Sequence, residues 1–236
     1  MEAIILAGGR GERLLPMTAD RPKSMVTIGH QPLLAYLLDW LTRFDISRVI
    51  ISCGPLWEAI RGHFGDGRAV GMDIVYAVER EPLGRGGGMR LAMGMLSDTG
   101  APAIVLNGDT LCNADLNVMV QRHRALGTIA TALLVPYVST SGLVEFSDDG
   151  LVTAFREKPE LPYWLNGGCY VVNPALRDLL PERGDHETST FPALARERRL
   201  GAYPARCYWR PVDTVKDLTE AEKELAHGLP ALGELR

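Results

Sequence analysis

Three glycines and three cations open the sequence: Gly8, Gly9 and Gly11, with Arg10, Arg13 and Lys23. Glycines let the chain turn sharply and bring backbone N–H groups against an anion. Arginine adds planar donors suited to phosphate oxygens, and lysine a compact charge. That set suits the cradling of a phosphate chain. Farther on stands Asn107-Gly108-Asp109. A hard carboxylate beside a triphosphate holds Mg²⁺; the alternative is that Asp109 caps the next turn. The stretch 79–88 carries Gly84, Gly86, Gly87 and Gly88. Such glycines permit close approach to something flat, such as a nucleobase, or else make a flexible turn. The histidines, at 30, 63, 123, 186 and 227, form no metal-spaced cluster.

These residues need elements to position them. Residues 3–7 form an apolar run that reads as a buried strand ending in the first glycine loop. Two familiar phosphate loops do not fit there. No Gly-Lys-Ser/Thr follows Gly8, which excludes a P-loop. From Gly9 the dinucleotide fingerprint lacks its third glycine. The periodicity then predicts a helix over 32–44, a strand over 47–52, a helix over 55–64 and a strand over 72–78. The loop 79–88 follows, then a helix over 89–96 and a strand over 102–109 that places Asp109 at its carboxyl end. A helix over 115–126 and a strand over 128–135 complete the first half. The second half is richer in strands: a hairpin at 142–146 and 151–155, then an apolar run over 164–172 interrupted by Asn166-Gly167-Gly168. Glycines inside a strand mark a bulge or the close approach of a ligand. A helix over 188–199 capped by Ser189 or Thr190, a strand over 202–208 and a charged helix to residue 227 follow. Helix alternating with strand implies a mostly parallel sheet covered on both faces.

The 236 residues are 46% hydrophobic and 23% charged, enough for one α/β domain with a sizeable core. The net charge of −4 argues against general nucleic-acid or membrane binding. Cys53, Cys112, Cys169 and Cys207 are widely spaced, without a Cys-x-x-Cys, and read as reduced residues of a cytoplasmic protein. Met1-Glu2 leads straight into a strand, so no signal peptide is expected, and no apolar run approaches the roughly 18 residues of a membrane span.

The run Leu6-Ala7-Gly8-Gly9-x-Gly11-x-Arg13-Leu14, followed by Pro22-Lys23-x-Met25, resembles the signature of nucleotidyltransferases acting on sugar 1-phosphates. The resemblance covers nearly the whole chain. It implies a Rossmann-like α/β fold in three layers, with a central mostly parallel sheet and a small β-rich region. One domain is expected over 1–236, with a nucleotide-binding half at 1–135 and a sugar-phosphate-binding half at 136–236. Nothing is left over for an appended left-handed β-helix. The implied reaction joins an NTP to a sugar 1-phosphate and releases pyrophosphate. Arg13, Lys23, Asp109 and Lys158 would carry catalysis. Leu6, Ala7, Gly8, Gly9, Gly11, Arg13, Lys23, Glu81, Pro82, Gly84, Gly86, Gly87, Asn107 and Gly108 would hold the nucleotide. Asp109, Gly142, Glu157, Lys158, Asn166 and Gly167 would hold the sugar phosphate. On spacing alone, Glu157 and Lys158 are equally a solvated surface pair.

The family also carries a second metal-binding Asp in a Trp-x-Asp-x-Gly-Thr-Pro pattern. Here Pro211 stands at that Asp and Asp213 at the Gly, so Mg²⁺ is assigned to Asp109 and Asp213. GTP with a heptose or mannose 1-phosphate is the expected substrate pair. The alternatives are a uridylyl- or cytidylyltransferase of another phosphorylated sugar or alcohol, and an NTP-binding homologue without catalysis, which Pro211 favours. The resemblance also allows a homodimer.

Overall fold

The computed structural model describes residues 1–9, 11–97, 100–226 and 230. The first half runs β1 (Glu2–Leu6), β2 (Thr27–Ile28), β3 (Gln31–Pro32), α1 (Leu33–Thr42), β4 (Arg48–Cys53), α2 (Trp57–Phe64), β5 (Asp73–Val78), α3 (Gly84–Met93), β6 (Ala103–Asn107), β7 (Thr110–Cys112) and α4 (Leu116–Leu126). The second half runs β8 (Ala130–Val138), β9 (Leu143–Phe146), β10 (Val152–Arg156), β11 (Glu160–Val172), α5 (Leu176–Leu179), α6 (Thr190–Arg196), β12 (Leu200–Pro204), β13 (Trp209–Pro211) and α7 (Val215–Glu224).

Seven strands make the central sheet, in the order β12-β8-β11-β6-β1-β4-β5. All neighbours are parallel except β11, which runs antiparallel to both β6 and β8. The alternation of the strands explains the layers. Ala3, Ile5, Val49, Ile51, Ile104 and Leu106 point into a core shared with α1, α2, α4 and α7. Ile4, Ile50, Ala103 and Val105 point the other way, against α3, α5 and α6. Helix α1 buries Leu33, Leu34, Tyr36, Leu37, Leu38, Trp40 and Leu41. Each such burial stabilises by about 1.5–3 kcal/mol for the aliphatic side chains. No helix among the described residues is long and apolar enough to cross a membrane.

The chain leaves β1 for β4 and β5 on one side, then returns to β6 on the other. The carboxyl ends of β1 and β6 therefore open a crevice at the point where the winding reverses. The segments after them touch: Gly108 N donates to Leu6 O at 2.9 Å. Farther along, β13 pairs antiparallel with β7, Pro211 opposite Thr110, and Val212 N donates to Asp109 O at 2.9 Å. This ribbon carries residue 213 back beside residue 109.

Three expectations need correction. Gly84 to Met93 is helix, so Gly86, Gly87 and Gly88 lie inside α3 and not in a loop before it. The reason is packing. A Cβ on Gly87 would lie 2.5 Å from Glu182 O, and one on Gly86 would lie 2.8 Å from both His186 N and a Pro181 ring carbon. Only glycine lets the helix seat this closely on 181–186. The strand expected over 202–208 is instead Leu200–Pro204, paired parallel with β8. Ser189 precedes α6 without a side-chain cap, because its hydroxyl donates to Asp185 O. The interruption in β11 is a bulge: the register jumps from Asn166 opposite Leu134 to Tyr170 opposite Ala132. The four cysteines are free, with Cys112 and Cys207 Sγ atoms 3.8 Å apart. Arg10 and residue 227 lie outside the described residues, as does most of the tail.

Candidate active site

The glycine loop after β1 folds back on Lys23. Gly11 has φ +66°, and a Cβ there would sit 2.9 Å from Lys23 Cβ, so glycine alone allows this approach. Thr18 Oγ1 donates to Gly11 O at 2.9 Å and pins the turn. Lys23 opens a short 3₁₀ turn and its side chain is only 10% exposed. A buried ammonium requires partners, and it has two. Nζ donates to Asp109 Oδ2 at 2.8 Å and to Asp213 Oδ1 at 2.5 Å. Arg13 pairs with the same Asp213 oxygen at 2.9 Å. Thr110 Oγ1 donates to Asp109 Oδ1 at 3.1 Å.

Asp213 is positioned by the start of α7. Thr214 and Asp217 form a reciprocal capping box, and Asp217 Oδ2 also accepts from Asp213 N at 3.1 Å. Burial alone would raise the Asp213 carboxyl. The Lys23 ammonium and the Arg13 guanidinium outweigh it and hold the group below the ordinary carboxylate value.

Two cavities meet at this cluster. The smaller, about 380 Å³, is lined by Leu6, Gly8, Ser52, Gly54, Pro55, Pro82, Gly84 and Gly88, with Glu79 as its carboxylate apart from Asp109. Glu79 is held by Leu83 N at 2.9 Å and by Ser52 Oγ at 3.3 Å. The larger, about 790 Å³, holds Gly11, Arg13, Lys23, Thr110, Asn166, Gly167, Glu187, Trp209, Pro211 and Asp213. Gly9, Arg85, Asn107 and Asp109 line both. Asn107 Oδ1 is buried with no hydrogen-bond partner among the described residues, a state that native structures avoid unless something else binds there.

The structure thus gathers Leu6, Gly8, Gly9, Gly11, Arg13, Lys23, Pro82, Gly84, Asn107, Asp109, Asn166, Gly167 and Asp213 around one crevice. It does not bring every expected residue there. Ala7 and Gly108 supply backbone beside the crevice without lining it. Gly86 and Gly87 face the protein's own 181–186 segment. Glu81 lies at the surface in an ion pair with Arg183, 2.7 Å away. Gly142, Glu157 and Lys158 line neither cavity. They stand at the base of the β9–β10 hairpin, whose strands pair only with each other. Glu157 and Lys158 are exposed there, and the Glu157 side chain folds over Gly142.

Conversely, sequence reasoning missed Glu79, Arg85, Glu187 and Trp209. Glu79 directly follows a parallel strand, the same signal that singles out Asp109. No sequence signal marks Arg85 or Glu187, and Trp209 entered only as the anchor of the pattern that places Asp213.

The carboxylates fit a divalent cation. Asp109 and Asp213 already converge on one positive charge, the Lys23 ammonium. Their oxygens are hard donors of the kind Mg²⁺ takes. No third His, Cys, Asp or Glu among the described residues completes a protein-only site, so phosphate oxygens and water would supply the rest.

The nucleotidyl transferase family matches residues 2–228. The chain is 34% identical over 245 residues to mannose-1-phosphate guanylyltransferase of Mycobacterium tuberculosis, covering 100% of this chain and 67% of that protein. It is 33% identical over 232 residues to D-glycero-alpha-D-manno-heptose 1-phosphate guanylyltransferase of Aneurinibacillus thermoaerophilus, covering 96% of this chain and 99% of that one. Against mannose-1-phosphate guanyltransferase of Pichia angusta the identity is 32%, over 92% of this chain and 62% of the yeast protein. The fold matches HddC from Yersinia pseudotuberculosis, also solved complexed with GMP-PN, with a TM-score of 0.74 at 24% identity over 94% of this chain and 98% of that one. UDP-glucose pyrophosphorylase from Acinetobacter baumannii matches with a TM-score of 0.74 at 20% identity, over 98% of this chain and 95% of that one.

Proposed function

The chain belongs to the nucleotidyl transferase family, and from that premise we propose that it transfers a guanylyl group from GTP to a sugar 1-phosphate of the manno series, releasing pyrophosphate. The observation that carries the reading is Lys23 Nζ between Asp109 and Asp213, where a base-sized cavity meets a larger polar one.

The smaller cavity takes the base. Guanine presents two adjacent donors on its pairing edge, whereas uracil presents one donor between acceptors, and adenine and cytosine an acceptor at that ring nitrogen. The Glu79 carboxylate, oriented by Leu83 N and Ser52 Oγ, suits the guanine edge. The glycine-loop amides and Arg13 hold the triphosphate tail. A phosphate oxygen of the sugar attacks the α-phosphorus in line and pyrophosphate leaves. That nucleophile is already ionised, so the reaction needs no general base. The obstacle is that two anions must meet, so catalysis is positioning and charge stabilisation. Lys23 neutralises the α-phosphate region. Mg²⁺ held by Asp109 and Asp213 would neutralise further phosphate charge. Lys158, exposed in this structure, would seat the sugar phosphate only after the hairpin base approaches the crevice.

The test is pyrophosphate release in a grid of GTP, UTP, CTP and ATP against mannose, manno-heptose and glucose 1-phosphates and phosphocholine, with and without Mg²⁺. Turnover confined to GTP with a manno 1-phosphate, and dependent on the metal, is expected. Turnover in a UTP or CTP column overturns the guanylyl assignment. No turnover at all, in protein that still binds GTP, points to an acceptor outside the grid or to a binding homologue, with Pro211 the first residue to suspect. In the same grid Glu79→Gln is expected to erode the preference for GTP at least tenfold, since an amide meets one of the two donors with a donor.

A further inference from the structure

Besides Glu12, Asp109 and Asp213, the larger cavity holds a fourth carboxylate, Glu187. It is fixed on every side. Its Oε1 accepts from Asn166 Nδ2 at 2.9 Å and from Tyr170 OH at 3.0 Å. Its Oε2 meets Arg85 Nη2 at 2.8 Å. Its backbone N–H donates to Asp185 Oδ1 at 2.9 Å. Tyr170 is fully buried, and Arg85 is itself tied to Asp185 through Nε at 2.8 Å and Nη2 at 2.5 Å.

A carboxylate has about four lone-pair sites, and three of those on Glu187 are taken. The remaining one is on Oε2. Both Asn166 Nδ2 hydrogens are used, one on Glu187 and one on Tyr170. Arg85 Nη1 makes no hydrogen bond or ion pair among the described residues, so its hydrogens are spare. The cavity wall therefore offers an acceptor on Glu187 next to a donor on the half-exposed Arg85.

We propose that Glu187 and Arg85 are the specificity-determining pair for the acceptor. They read a vicinal diol on the sugar ring, one hydroxyl donating to Glu187 Oε2 and its neighbour accepting from Arg85 Nη1. This rests on the proposed sugar 1-phosphate transferase reading and extends it: the acceptor must carry adjacent free hydroxyls, which alcohol phosphates of the choline type lack. A single hydroxyl of either sense would leave half of the pair unmatched in a part-buried site. Sites of that construction discriminate by factors well above tenfold.

The experiment is steady-state kinetics with GTP and mannose 1-phosphate, repeated with the set of monodeoxymannose 1-phosphates. The wild-type enzyme is expected to lose at least tenfold in kcat/KM for two neighbouring ring positions and little for the others. Glu187→Gln is expected to raise KM for mannose 1-phosphate at least tenfold and to leave KM for GTP within twofold. It should also accept one of the two discriminated deoxy sugars as well as the parent. Glu187→Asp, which keeps the charge but shortens the reach, serves the same test if the glutamine variant does not fold. Equal losses on every acceptor together with a raised KM for GTP would make the pair a structural tie and overturn the proposal. So would a wild-type enzyme indifferent to every deoxy position. A wild-type enzyme that uses no sugar 1-phosphate removes the parent reading as well, which separates the two failures.

Discussion

Lys23 is the residue on which the site turns. It neutralises two carboxylates that would otherwise face each other across the crevice. In the proposed reaction the same ammonium is placed to follow the negative charge of the incoming phosphates. Lys23→Ala is expected to lower kcat at least tenfold while far-ultraviolet circular dichroism is unchanged; an unaltered kcat removes Lys23 from the chemistry. Much at this scale was legible. Gly8, Gly9, Gly11, Arg13 and Lys23 are neighbours in sequence, so the spacing alone set them together, and Asp109 announced itself by ending a buried strand. Asp213 was assigned by its offset from Trp209, and the structure brings it, and not Pro211, to Lys23 and Arg13. The Arg85–Glu187 pair was not legible. Its members lie about a hundred positions apart and meet only because α3 packs on 181–186.

Among the elements, α3 departs most from its sequence. Glycine has a poor helix propensity, so Gly84, Gly86, Gly87 and Gly88 read as a loop. Packing overrides propensity here, because Gly86 and Gly87 give room to a neighbouring backbone that cannot yield. Gly87→Ala is therefore expected to destabilise the fold by about 1–3 kcal/mol, the usual cost of overpacking. Gly62, in α2, has open space where its Cβ would be, so Gly62→Ala is expected to be neutral or stabilising by up to about 1 kcal/mol. Urea unfolding of the two variants checks both; equal midpoints would mean that α3 does not need its glycines for packing. The β9–β10 hairpin was read correctly as strands. Its distance from the crevice was not legible, because a two-stranded ribbon has no buried face to say where it docks, and Phe146 and Phe155 stand 73% and 68% exposed.

For the molecule as a whole, two buried histidines tie stability to pH. His186 is 0% and His123 2% exposed. His186 has no hydrogen-bond partner for either ring nitrogen among the described residues and packs edge-on against Tyr170 and Phe191. Burial lowers both groups below the ordinary histidine value of 6.5. For His186 the nearby Glu187 and Asp185 oppose that shift without cancelling it, and Arg85 adds to it. Both rings are thus neutral when folded, while the unfolded chain takes up protons as the pH falls through 6.5. Stability is fully present above that value and declines below it, by up to about 1.4 kcal/mol per pH unit for each histidine. Thermal unfolding at pH 7.5, 6.5 and 5.5 should show the decline, and His186→Phe should flatten it. An identical pH dependence in the variant would discharge His186 from this role. The mostly parallel sheet behind this frame followed from the alternation of helix and strand. The antiparallel β11 did not, because strand direction depends on how the connections cross, which a pattern of apolar residues does not record.

Arg85 lines both cavities, and under the proposed reading this makes the two binding events answerable to each other. A ligand in one chamber that fixes the guanidinium has already ordered part of the other, so each ligand should bind more tightly in the presence of its companion. Thermodynamics requires the gain to be the same in both directions. Calorimetric titration of mannose 1-phosphate, with and without a non-hydrolysable GTP analogue, measures that gain. Arg85→Ala is expected to abolish it, so that the molecule becomes two independent sites sharing one crevice.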